Sequence, residues 1–171
     1  DIGSPVTVPT ADGHRVIGGD NGAILLSGLG ASPEGDRPFL DRMDLATGSK
    51  TRLFHSAPDA YETVIAVLDK SGARLLTRRE SPTEPPNYYV LDSGRRTALT
   101  SFTDPAPELR RVTRKLVRYQ RPDGVPLSFT LYLPPGYREG TRLPTVVWAY
   151  PRDYADAGTA GQISGSPNRF T

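Results

Sequence analysis

The sequence has no cysteine, so neither a disulfide framework nor thiolate chemistry is open to it, and its redox compartment stays undecided between cytoplasm and periplasm. No stretch approaches the roughly 20 apolar residues of a membrane span, and no membrane partner is expected. Charge of one sign is also scarce. The 21 basic and 19 acidic residues leave a net +2, too little to demand a polyanionic partner. At 36% the hydrophobic fraction is lean for a globular chain. Glycine and proline, in contrast, are plentiful at 17 each, together 34 of 171 residues. Such a density of turn-makers favours many short strands over long helices. The length is enough to bury a core, as one domain or two small pieces.

The first two thirds contain an internal repeat. Asn21-Gly22-Ala23-Ile24-Leu25-Leu26-Ser27 is similar to Ser71-Gly72-Ala73-Arg74-Leu75-Leu76-Thr77, about fifty residues on, a period that propeller-type repeats allow. Each copy runs on through a Ser-Pro loop (Ser32-Pro33, Ser81-Pro82), an apolar or aromatic strand (Phe39 to Leu45, Tyr88 to Leu91) and a tight turn (Ala46 to Ser49, Asp92 to Gly94). A final strand closes each copy, Thr51 to Phe54 or Thr97 to Thr100. A further strand, Tyr61 to Leu68, precedes the second copy. About four antiparallel strands per repeat is the composition of a propeller blade. A generic antiparallel sheet with chance similarity is the alternative.

From Thr113 the texture changes. Lys115 to Tyr119 reads as a strand, Pro122-Asp123-Gly124 as a turn. Leu127, Phe129, Leu131 and Leu133 then alternate with polar or amphipathic residues, as in a half-buried strand. The pair predicts a hairpin. Leu143 to Tyr150 is a continuous apolar run, which predicts a strand covered on both faces, as in an α/β sheet. A division is expected near residues 103–114, across Asp104-Pro105-Ala106-Pro107. The basic residues Arg110, Arg111, Arg114, Lys115, Arg118 and Arg121 are interleaved with Leu109, Val112, Leu116 and Val117. This fits a solvated linker and charged edge strand better than a nucleic-acid surface, so no nucleic acid partner is expected.

A basic strand, an Asp-Gly turn, an alternating strand ending Tyr132-Leu133-Pro134, then Pro135-Gly136-Tyr137 and Leu143-Pro144-Thr145-Val146-Val147 resemble the entry into the hydrolase domain of the prolyl-oligopeptidase family of serine peptidases. The Ser81 to Tyr88 stretch is similar to that family's closing blade. Trp148-Ala149-Tyr150-Pro151-Arg152-Asp153-Tyr154 and Ala160 to Asn168 resemble the glutamyl peptidase branch of bacteria and chloroplasts, where the wider family carries a His-Gly-Gly-Pro or Tyr-Gly-Gly-Pro loop instead. The resemblance implies a mainly β chain: the last blades of a β-propeller over residues 1–108, followed over 109–171 by the first strands of an α/β-hydrolase domain. It also implies a peptide substrate, no cofactor, and the remainder of a hydrolase domain as partner. The start at Asp1 without Met and the stop at Thr171 lead to the expectation that both ends are cuts in a longer protein.

The chemistry of such a peptidase needs a nucleophilic serine in a G-x-S-x-G elbow, then Asp, then His. The nearest approach, Gly30-Ala31-Ser32-Pro33-Glu34-Gly35, is one residue too long, and Ser164 and Ser166 have the wrong spacing and read as loop residues. Both histidines, His14 and His55, precede the hydrolase part and read as ordinary surface or loop residues. No triad is expected in this chain, nor turnover by it alone. By the resemblance, Tyr150 stands where the family places an oxyanion-hole hydroxyl; its other reading is a Tyr anchoring sheet to loop. Arg152 is a candidate cation for an acidic substrate side chain, against a local ion pair with Asp153. No P-loop, dinucleotide fingerprint or metal-ligand cluster is present in the sequence. A non-catalytic β-propeller interaction module is the second reading of the whole.

Overall fold

The computed structural model describes residues 2–32, 35–149 and 165–170. The elements are strands: β1 (Ser4–Pro5), β2 (Thr7–Pro9), β3 (Arg15–Ile17), β4 (Gly19–Asp20), β5 (Ala23–Gly28), β6 (Phe39–Asp44), β7 (Lys50–His55), β8 (Tyr61–Val67), β9 (Arg74–Glu80), β10 (Asn87–Asp92), β11 (Arg95–Ala98), β12 (Thr113–Gln120) and β13 (Pro126–Leu133). A short 3-10 turn spans Pro107–Arg111. Two compact units result, one of Asp1–Asp104 with Ser164–Thr171, the other of Pro105–Ile163.

The first unit holds two antiparallel meanders. One is a five-stranded sheet in the order β1-β5-β6-β7 with β4 also on β5, the other a four-stranded sheet in the order β11-β10-β9-β8. They match the repeat, with β5, β6 and β7 standing to the first sheet as β9, β10 and β11 stand to the second. Local chemistry dictates the tightest turns. Asn21 (φ 47°) and Gly22 (φ 74°) join β4 to β5, and Ser93 (φ 49°) and Gly94 (φ 87°) join β10 to β11. Two consecutive positive φ angles in a two-residue loop make the type I′ turn, whose twist matches that of a hairpin.

Strand alternation sends Leu25, Leu40 and Phe54 to one face of the five-stranded sheet, where they form a buried cluster with Leu75 of β9. Val64, Val67 and Leu91 of the second sheet pack against that cluster. Each sheet thus covers an apolar face of the other, as stacked blade-like sheets require.

The second unit contains the hairpin of β12 and β13, paired from Thr113↔Leu133 to Gln120↔Pro126. Tyr119 meets Phe129 edge-on at 6.0 Å between ring centroids, a favourable aromatic geometry. The apolar run after it differs from the expected covered strand. Residues 143–149 form no strand, and Val146, Val147 and Trp148 are 92%, 83% and 89% exposed. A run apolar on both faces becomes a strand only between neighbours, and among the described residues nothing pairs with it.

Candidate functional site

Tyr150 and Arg152, the two residues singled out in the sequence, lie outside the described residues. What the described residues do form is a cleft of about 510 Å³ on the first unit. It lies on the face of the five-stranded sheet opposite the Leu25–Leu40–Phe54 cluster. Its floor and walls include Arg37, Phe39, Arg52 and His55, with Asp36 and the segment Ser166-Pro167-Asn168.

A β-bulge gathers these side chains. Leu40 pairs with Phe54 but Asp41 pairs with Arg52, so Leu53 is an extra residue on β7. In a regular strand residues 52 and 54 would share a face. The bulge turns Arg52 over, away from Phe54 and the core, and onto the side of Phe39, Asp41 and His55. There its guanidinium bonds the carboxylate of buried Asp41 and lies 4.3 Å from the centre of the Phe39 ring, held by ion pair and aromatic face together.

Arg37 is fixed differently. Its Nε and Nη2 donate to the carbonyl of Ser56 at 3.3 and 2.9 Å. Its backbone N–H donates to the Gly30 carbonyl at 3.0 Å. Gly30 sits at φ +64° with the Arg37 carbonyl oxygen only 1.9 Å from where a Cβ would stand, so this loop closes only around glycine. The two arginines act on His55. Its pKa is held below the ordinary imidazole value by partial burial first, then by the Arg37 and Arg52 charges, with Asp41 opposing. His55 is therefore mainly neutral near pH 7, and the cleft's positive charge resides on the guanidiniums.

The far wall is a strap, residues 165–170, anchored to the same unit. The Gly165 carbonyl accepts from Asp36 N–H at 3.0 Å, and Asn168 Nδ2 donates to the Pro58 carbonyl at 2.7 Å. Glu80, only 3% exposed, receives the Phe170 N–H on Oε2 at 3.0 Å. Its Oε1 takes Arg78 at 2.8 Å and faces Arg169 at 3.7 Å, while the Arg169 guanidinium stacks 4.5 Å from the Tyr61 ring centre.

The hydroxyls nearby are committed to structure. Ser32 Oγ donates to the Gly35 carbonyl at 2.7 Å. Buried Ser56 donates to the Ala60 carbonyl at 2.8 Å and accepts from Glu62 N–H at 2.9 Å. The buried Glu62 carboxylate joins Thr77 Oγ1 and Arg96, each at 2.7 Å, and ties three strands of the second sheet. Among the described residues no group of three or more His, Asp or Glu could hold a metal ion, and no described helix is long and apolar enough to cross a membrane. The arrangement offers fixed cations in a concave site, chemistry suited to holding an anion.

Comparison with known proteins adds what this geometry alone does not. The chain is 43% identical over 188 aligned positions to a probable chloroplastic glutamyl endopeptidase of Oryza sativa subsp. japonica, an alignment covering 99% of the chain. It is 42% identical over 161 positions to the protein of the same description from Arabidopsis thaliana, covering 86% of the chain. Over the stretch it covers, the chain is similar to these two probable glutamyl endopeptidases. That stretch is 20% of the rice protein and 17% of the Arabidopsis one, so the chain spans about a fifth of the length of the curated relatives it matches. No family model matches the chain. A solved structure of the AtxE2 isopeptidase in its apo form resembles it at 17% identity and a TM-score of 0.44, over 82% of this chain and 23% of that one.

The sequence reading did not single out Arg37 or Arg52, and took His55 for an ordinary surface or loop residue; it is exposed, but on the wall of the cleft. The three are separated by 15 and 3 residues in the chain (37 to 52, 52 to 55). They meet through the bulge and the Gly30 loop, neither of which the residue pattern signals.

Proposed function

We propose that this chain is part of a serine-type peptidase, in which residues 1–108 are closing blades of a β-propeller and residues 109–171 open an α/β-hydrolase domain. The observation that carries the reading is the 43% identity to a probable glutamyl endopeptidase along nearly the whole chain. Two stacked antiparallel meanders in the first unit support the propeller assignment, because such sheets bury their faces only against like neighbours. The preference for cleavage after Glu follows from the relatives' description. In the intact protein the hydrolase would cut through an acyl-enzyme, with Tyr150 donating to the developing oxyanion and Arg152 near the acidic side chain.

By itself this chain is proposed to be inactive, since both histidines precede the position a triad serine would take and no G-x-S-x-G is present. The test has two parts. The coding sequence downstream of Thr171 should supply an elbow serine followed by Asp and His. A polypeptide carrying both should turn over a glutamyl chromogenic substrate and lose that activity to a serine-directed reagent, while the present chain turns over none. Turnover by the pure chain, or a downstream sequence without the triad, would overturn the reading.

A further inference from the structure

We propose that the cleft between Arg37, Arg52, His55 and the 166–168 strap is a binding site for a peptide carboxylate. Three observations support it. First, two guanidiniums line one concave site of about 510 Å³, and both are held in place, Arg37 by the Ser56 carbonyl and Arg52 by Asp41 and the Phe39 ring. An arginine carries five N–H donors in a rigid fork, and the two bonds each makes to the protein occupy only its Nε–Nη2 side. Donors fixed in advance lose little entropy when they close on a planar carboxylate. Second, Asp41 does not cancel the local field. His55 still experiences the two arginines as net positive, an effect added to that of its partial burial. Third, the lining sets the exposed rings of Pro58 and Pro167 beside these polar groups, the mixture of apolar contact and a few placed polar groups expected of a ligand site.

Asp36, also in the lining, would repel a carboxylate. It limits affinity and gives the proposal an internal control. The choice of a peptide as the carboxylate's source rests on the peptidase reading. The carboxylate could belong to an acidic side chain or to a chain terminus.

The purified chain is titrated by calorimetry with three blocked tripeptides: one with a central Glu and an amidated end, one with a central Gln and a free C-terminal carboxylate, and one with a central Gln and an amidated end. At least one carboxylate probe should bind about tenfold tighter than the neutral one, as charge-assisted hydrogen bonds allow, and the pattern tells side chain from terminus. Raised salt should weaken it. Arg37→Gln should remove most of that preference and Asp36→Asn should increase it. Arg37 is the chosen variant because Arg52→Gln would strand the buried Asp41 carboxylate and could unfold the sheet. His55→Gln, with thermal unfolding as a check, is the second. Equal binding of all three probes, no binding, or a preference indifferent to Arg37→Gln would overturn the proposal. The two readings fail separately: a carboxylate preference can hold in this chain while the longer polypeptide shows no peptidase activity, and the reverse.

Discussion

His55 shows how much a residue's meaning depends on its neighbours. On the sequence it is one of two histidines placed too early for a triad. In the fold it shares a cleft with two arginines, and its pKa is lowered by partial burial and by their charges. The folded state therefore binds its proton less readily than the unfolded chain, where imidazole titrates near 6.5. When the unfolded state binds more protons, stability rises with pH. The contribution is thus complete above about pH 6.5 and is lost as pH falls through the lower, folded-state pKa. In urea unfolding, the wild-type chain should lose stability on going from about pH 7 to pH 5, and His55→Gln should flatten that part of the profile. An identical slope in the variant would mean that His55 titrates as it does in the unfolded chain.

At the scale of elements, glycines with similar dihedral angles have different costs. Gly22 at φ +74° has nothing within 4 Å of where a Cβ would stand, whereas Gly30 at φ +64° has the Arg37 carbonyl at 1.9 Å. Gly22→Ala should cost about 1–2 kcal/mol, the left-handed penalty alone. Gly30→Ala must also displace the loop that sets Arg37, and should cost clearly more in the same unfolding assay; equal losses would show that the loop gives way freely. The strap makes a second element-scale claim. Glu80→Ala removes the acceptor of the Phe170 N–H and the partner of Arg78. Exchange of the Phe170 amide should quicken by about tenfold or more, the worth of a charge-assisted bond, and an unchanged rate would mean that the strap is held elsewhere. Much at this scale is legible in the sequence. The repeat locates β5 with β9, β6 with β10 and β7 with β11, because glycine turns and alternating apolar residues act locally. The basic cleft is not legible there. The extra residue Leu53 that inverts Arg52 leaves no mark in the pattern, and Arg37 joins it only through loop closure. The 143–149 run reads as a strand because composition carries no information about whether neighbours are present to pair with it.

At the scale of the whole molecule, that run is the clearest sign of something owed to other residues. Val146, Val147 and Trp148 are almost fully exposed, and adjoining apolar side chains left in water mark a contact surface more often than a solvated loop. Covering side chains of this size is worth about 1.5–3 kcal/mol each, enough in sum to order the segment once a partner surface is supplied. The hairpin before it carries the same signature, with Phe129, Tyr119 and Leu116 each between 43% and 50% exposed. Trp148 is the only tryptophan in the chain, so its fluorescence reports on this segment alone. In the isolated chain its emission should match that of a solvated indole and be quenched fully by acrylamide. In a polypeptide extended through the proposed hydrolase domain, 143–149 should pair as a buried strand, the emission should shift to the blue, and quenching should fall several-fold. Trp148→Phe in the extended protein should then lower stability, as a large-to-small core change does. Solvent-like emission in the extended protein would place the segment on the surface and remove the buried-strand assignment from residues 143–149.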